Sequence, residues 1–228
     1  MFASIVRHRL FSRGIRLCAL LFAASLAGGC MPYFIAAAYL IGGPPMVEPE
    51  FDKQTNKSMT AKDTTVAVVC FAPDDVRYQF DNINHDIAKY VTHQLHAKQV
   101  KVFTPEVVRD WLDKHDDWDK PEEIGAALNA TYVIFIDLHK FTLWAEHSPN
   151  LRQGRSECLV SVVEMSPDGT GERIFSKEII SKYPLAVPRP ASETTYDTFR
   201  RQYLSRFSDE IGRLFYEYEN GRDIGDAT

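Results

Sequence analysis

The chain has 228 residues, with 26 Lys and Arg against 31 Asp and Glu, a formal net charge of −5 and an ordinary globular composition of 45% hydrophobic residues. Residues 1–29 hold Arg7, Arg9, Arg13 and Arg16 and no Asp, Glu or Lys, so the remainder has 22 basic side chains against 31 acidic ones, a net charge of −9. That balance argues against nucleic acid as a partner, because phosphate contacts need clustered Lys and Arg.

The arginines from Arg7 to Arg16 form a positive n-region, followed by an apolar run from Leu17 to about Leu26 and by Ala27, Gly28, Gly29 and Cys30. Small residues before a cysteine fit a signal peptidase groove. The string LAGGC resembles the bacterial lipobox, in which the peptide is cut between Gly29 and Cys30 and the Cys30 thiol takes a diacylglycerol. It departs from that pattern in one place: Ala27 stands where Leu is usual, and Leu26 falls one position early. Two other readings stay open. About 25 uncharged residues run through Cys30 into MPYFIAAAYLIGG, enough for a spanning signal anchor, and plain secretion is the other. All three put the rest of the chain outside the inner membrane. Met31, which is not the Asp of inner-membrane retention, favours the outer membrane for a lipoprotein. Residues 30–63 read as a lipidated tether. Its apolar part, 31–45, is too short to span and ends at Gly42, Gly43, Pro44 and Pro45.

From Thr64 the chain reads as one α/β domain to residue 219, with a flexible tail at 220–228. Thr64 to Phe71 is a β-branched run suited to a strand buried on both faces. A polar loop over 72–78 precedes a helix from Phe80 to Lys98, whose inner face is Ile83, Ile87, Tyr90, Val91 and Leu95. Val100 to Phe103 is a short second strand. Thr104 and Pro105 then open a helix with an inner face of Val107, Val108, Trp111 and Leu112. A further short helix from Pro121 carries Ile124, Ala127 and Leu128. Thr131 to Leu138 is the strongest strand, continuing towards Trp144. Strands at 152–165 and 172–183 flank a turn of Pro167, Asp168, Gly169, Thr170 and Gly171. A Pro-rich loop at 184–190 leads to a helix from Thr195 to Glu219, striped by Tyr196, Phe199, Tyr203, Phe207, Ile211, Leu214 and Tyr218. The order βαβααβββα predicts a mixed five-stranded sheet with helices packed on it. Its first three strands are parallel and the last three antiparallel, in the spatial order 2-1-3-4-5. Cys70 and Cys158 fall on strands with another strand between them, about 9–10 Å apart. That is too far for a disulfide, so both are expected as buried free thiols.

Three strings carry a resemblance: VAVVCFAPDD, the helix from Phe80 to Lys98, and EIGAALNATYVIFIDL with its glycine and central strand. Over about residues 64–183 they resemble a group of bacterial envelope domains. The group includes the curli-secretion lipoprotein, lipoprotein activators of penicillin-binding proteins, and the amino-terminal domain of the Tol–Pal translocation protein. The resemblance implies non-enzymatic work, in which the domain docks on envelope partners or on copies of itself.

The motifs of nucleotide binding, serine hydrolysis and zinc proteolysis are missing, and no cofactor is expected. The weak candidates for a metal are His93 and His96, one helical turn apart and on the side of His85. They lie opposite the apolar stripe, beside Lys89, without a carboxylate at completing spacing. Asp137 and His139 share one side of a strand but lack a nucleophile. The acidic run Asp113, His115, Asp116, Asp117, Asp119 with Trp118 reads as a solvated helix end, and no calcium loop. The leading reading is therefore a membrane-anchored interaction or assembly module, not an enzyme, with an envelope protein or a second copy as partner. It predicts an exposed apolar or aromatic patch and no deep polar pocket. A metal-binding or catalytic periplasmic protein would instead gather these polar groups in one pocket. A subunit of an export channel would need hairpins extending beyond the domain.

Overall fold

The computed structural model describes residue 43 and residues 45–220; Cys30, the Gly29–Cys30 cleavage site and the apolar segment up to Gly42 lie outside them. Strand β2 (Val66–Phe71) stands at one end of the sheet's strand order, with its first five residues buried. Alternation along it splits the interior in two. Val66, Val68 and Cys70 face the larger cluster, while Ala67 and Val69 face the smaller one.

Beside β2 runs β3 (Tyr132–Ala145), parallel and in register from Val66 opposite Tyr132 to Phe71 opposite Asp137. Next come β4 (Ser148–Met165) and β5 (Gly171–Tyr183), each antiparallel to its neighbour. The expected mixed sheet is thus present, but its fifth strand is a different one. Val100 to Phe103 contributes only a bridge from Val102 to Val66. Amides at Val66 and Phe103 bond Lys101 and Val66 carbonyls, and Pro105 then turns the chain into a helix. The fifth strand is β6 (Arg189–Pro190), which pairs with β4 beyond the end of β5, inside the stretch read as a Pro-rich loop.

The larger cluster lies under α3 (Ile83–Ala97) and α6 (Tyr196–Gly212), whose buried stripes from Ile83 to Leu95 and from Phe199 to Ile211 fit the sequence periodicity, while Tyr196, expected on the second stripe, is exposed. Thr195 caps α6 by accepting the Thr198 amide at 3.3 Å. The helix stops seven residues short of the expected Glu219. Beyond Gly212 the chain folds back, burying Leu214, Phe215 and Tyr216, and Tyr218–Glu219 forms strand β7. The smaller cluster lies under α4 (Pro105–Leu112) and α5 (Pro121–Leu128). Gly125 lets α5 approach the sheet closely: a Cβ there would meet Met165 Sδ at 2.6 Å and Val133 Cγ2 at 2.7 Å.

Two segments differ from expectation. The polar loop at 72–78 contains helix α2 (Asp74–Gln79), with Val76 turned inward. The second half of the expected tether, 46–63, is folded into the domain. Strand β1 (Met46–Val47) pairs with β7, and α1 (Glu50–Thr55) places Phe51 and Met59 fully inside the larger cluster. The polar composition of 46–63 hid this, because two apolar anchors in a six-residue helix and its loop leave no periodicity to read. Residues 221–228 of the expected tail lie outside the described residues.

Candidate functional site: an aromatic groove at the end of the parallel strands

In an α/β sheet the loops at the carboxyl ends of parallel strands leave a crevice, because the helices that follow diverge there. Here β2 ends at Phe71, which is 44% exposed after five buried residues. Beside it β3 presents Phe135, and the link between α4 and α5 lays Trp118 edge-on to that ring, with centroids 6.1 Å apart and planes at 81°. The groove they line has a volume of about 730 Å³ and is also lined by Asn84 and Leu112. A narrower recess of about 110 Å³ shares Cys70, Asn84, Leu112 and Asp113 with it, and reaches His85 and Arg109.

Its rim is acidic. Asp113, Asp116, Asp119 and Asp137 line the groove against one cation, Arg77. That arginine is paired with Asp74 outside the lining, Arg109 lies 3.6 Å from Asp113, and His139 lies 3.4 Å from Asp137. In the recess, burial and then the Arg109 charge lower the His85 pKa, favouring the neutral imidazole. Cys70 lines both cavities, yet it is only 3% exposed and burial pushes its thiol well above the ordinary value. A protonated thiol is a poor nucleophile, so Cys70 is part of the wall.

No family model and no curated protein matches the chain. Among solved structures it is similar to the PelC dodecamer from Paraburkholderia phytofirmans, with 10% identity over 75% of this chain and 96% of that one and a TM-score of 0.44. It is also similar to the lipoprotein GNA1162 from Neisseria meningitidis, with 12% identity, 65% and 97% coverage and a TM-score of 0.41. A third is the hypothetical protein CT253 from Chlamydia trachomatis, with 9% identity, 67% and 97% coverage and a TM-score of 0.41. Likenesses of this size carry no argument about activity.

The polar residues singled out in the sequence do not converge. His93 lines a separate groove between α3 and α6, and His96 is exposed on the solvent side of α3. Among the described residues no group of three or more His, Cys, Asp or Glu is placed to hold a metal. Asp137 and His139 do meet, but they face different cavities. Asp137 is on the aromatic groove, and His139 is in a pocket beside Lys140, which pairs with Glu157 at 2.8 Å. The acidic run is more than a helix end, since Asp116, Trp118 and Asp119 form one wall of the groove. Sequence reading missed Phe71 and Phe135. Phe71 stands on the smaller-cluster side of β2, past the reach of α4, and strand alternation alone does not tell where a covering helix ends.

The β3–β4 hairpin is long, but its tip is tied down. Arg152 is 6% exposed, its guanidinium lies 4.8 Å from the Trp144 ring and 5.8 Å from the Tyr196 ring of α6, and its Nε donates to the Thr194 carbonyl at 3.0 Å. Among the described residues no helix is long and apolar enough to cross a membrane.

Proposed function

We propose that the protein is an envelope lipoprotein, acylated at Cys30, whose domain works as a non-enzymatic interaction module with the Phe71 groove as its contact surface. The acyl chains hold it to a bilayer facing the periplasm, and Met31 favours the outer membrane. One observation carries the reading of the groove. Phe71 is nearly half exposed in a concave surface that also offers Trp118 and Phe135. Rigid aromatic side chains in a partly dehydrated pocket are the anchors on which protein interfaces spend most of their binding energy. The rim of Asp113, Asp116, Asp119 and Asp137 selects a partner segment that brings an apolar side chain flanked by Lys or Arg.

The test has two arms in cells. Cys30→Ser should lose the acyl mass by mass spectrometry and move the protein out of the membrane fraction. A photo-crosslinking residue at position 71 should give one discrete adduct, weakened when Asp116 and Asp119 are changed to Lys. The same probe at Val187, which is 72% exposed and away from the groove, should give none. An adduct of twice the chain mass would make the partner a second copy. Equal labelling at both positions, or an unacylated membrane-bound chain, would refute the corresponding half of the proposal.

A further inference from the structure

A second groove, of about 570 Å³, lies between α3 and α6. On α3 its residues Asp86, Lys89, Tyr90 and His93 follow one helical face. On α6 it is lined by Arg200, Arg201, Leu204 and Ser205. The two helices are joined at one end of it, where Arg200 Nη2 donates to Asp86 Oδ2 at 2.8 Å and to the Asp81 carbonyl at 3.2 Å.

The charges in this groove do not balance. Asp86 is its single acid and is already engaged by Arg200, whose Nε is buried and unbonded. Lys89 and Arg201 have no ion pair among the described residues; Arg201 reaches only the Thr198 hydroxyl, at 3.4 Å. Farther along α6 the arginines are matched, Arg206 with Glu210 at 3.0 Å and Arg213 with Asp209 at 2.6 Å. In a chain of net charge −5, unmatched cations gathered in a concavity are a local reversal of sign. Concave walls of low dielectric focus such a field on whatever enters.

We propose that this groove binds the phosphate of an anionic ligand, either a soluble phosphate ester or the headgroup of an acidic phospholipid. Phosphate suits the site better than a carboxylate. Arginine forks match its tetrahedral oxygens, and a dianion answers Lys89 and Arg201 together where a monoanion leaves one unpaired. The Tyr90 and Ser205 hydroxyls line the same groove and can donate to the remaining oxygens. The site is separate from the aromatic groove, which is acidic, so the two surfaces select ligands of opposite charge.

The experiment is calorimetric titration of the full chain in a non-ionic detergent with inorganic phosphate, and in parallel with dihexanoyl phosphatidic acid, whose phosphomonoester can carry two charges, at constant ionic strength. Saturable binding is expected for at least one probe, weakened about tenfold in a Lys89→Ser, Arg201→Ser double variant. Both side chains are exposed and neither has an ion pair among the described residues, so the variant should fold, which circular dichroism verifies. Lys182→Ser, on the exposed face of β5, should bind as the native chain does. Phosphate binding alone identifies a soluble ester as the ligand source, and lipid binding alone identifies a headgroup. Binding of neither probe, or equal binding by the double variant, overturns the proposal.

Discussion

Tyr203 lies flat across Gly154: a Cβ on that strand residue would sit 2.3 Å from the ring's Cγ, while the phenol hydroxyl reaches along β4 and donates to Ser156 Oγ at 2.7 Å. The glycine is therefore a packing requirement of α6 against the sheet. Gly154→Ala should push the ring, and with it the helix, off β4 and cost about 3 kcal/mol, at the upper end of overpacking penalties. Urea denaturation measures it. A loss under about 1 kcal/mol would show that the helix shifts without strain. Tyr203→Phe keeps the ring and removes one buried hydrogen bond, so it should cost about 1 kcal/mol.

Phe51 decides where the folded domain begins. It is fully buried, edge-on to Tyr132, Phe175 and Phe215 with centroids 5.8, 5.7 and 5.9 Å away, and its amide bonds the Leu214 carbonyl at 3.0 Å. Phe51→Ala should destabilise by about 3–5 kcal/mol, the range for emptying an aromatic site. If residues 46–63 were a free tether, the same change would leave the urea midpoint where it is.

What the sequence disclosed followed from periodicity. The β-branched runs at Val66–Phe71 and Tyr132–Leu138, and the three-and-four spacing of Phe199, Tyr203, Phe207 and Ile211, appear as the strands and helix they predict. The buried free thiols at Cys70 and Cys158, with β3 between their strands, followed from the same reading. What stayed hidden depends on contacts distant in the chain. Val102 makes only a single bridge, to Val66, the edge of β4 is completed by Arg189–Pro190, and α1 is held by residues more than a hundred positions away. The groove was half legible: Trp118 and its aspartates drew attention as a charged run, but only the fold brings Phe71 and Phe135 beside them.

Arg152 pins the hairpin tip, and its loss should be felt locally. With the guanidinium removed in Arg152→Ala, the stacked Trp144 and Tyr196 rings lose the cation that contacts both and the Thr194 carbonyl loses its donor. Partly desolvated cation–π contacts of this kind contribute about 2 kcal/mol. Amide exchange in residues 144–152 should quicken while the centre of β3 keeps its protection, as expected for opening of one end of a sheet. Uniformly faster exchange across β3 and β4 would show instead that the tip supports the whole hairpin.

The buried thiols predict how stability changes in alkali. Burial, then repulsion from Asp137, Glu210 and Glu178, pushes Cys158 from 9.0 up to about 12, and burial likewise raises Cys70 well above 9.0. Above pH 9.0 the unfolded chain gives up these protons while the folded chain keeps them, so the unfolded state binds fewer protons and stability falls as pH rises. The contribution is complete below pH 9.0 and declines towards about 12, at no more than about 1.4 kcal/mol per pH unit for each thiol. Tyr132, raised from 10.0 to about 12 by burial and by Glu164, and Tyr203, raised from 10.0 by burial, add to the decline mainly above pH 10.0. The interval from 9.0 to 10.0 is therefore where the cysteines dominate the slope. A Cys70→Ala, Cys158→Ala variant is less stable throughout, but its urea midpoint should be flatter across that interval than the native chain's. Parallel slopes would mean that the thiols are not shielded in the folded state, and iodoacetamide would then alkylate Cys70 and Cys158 without urea.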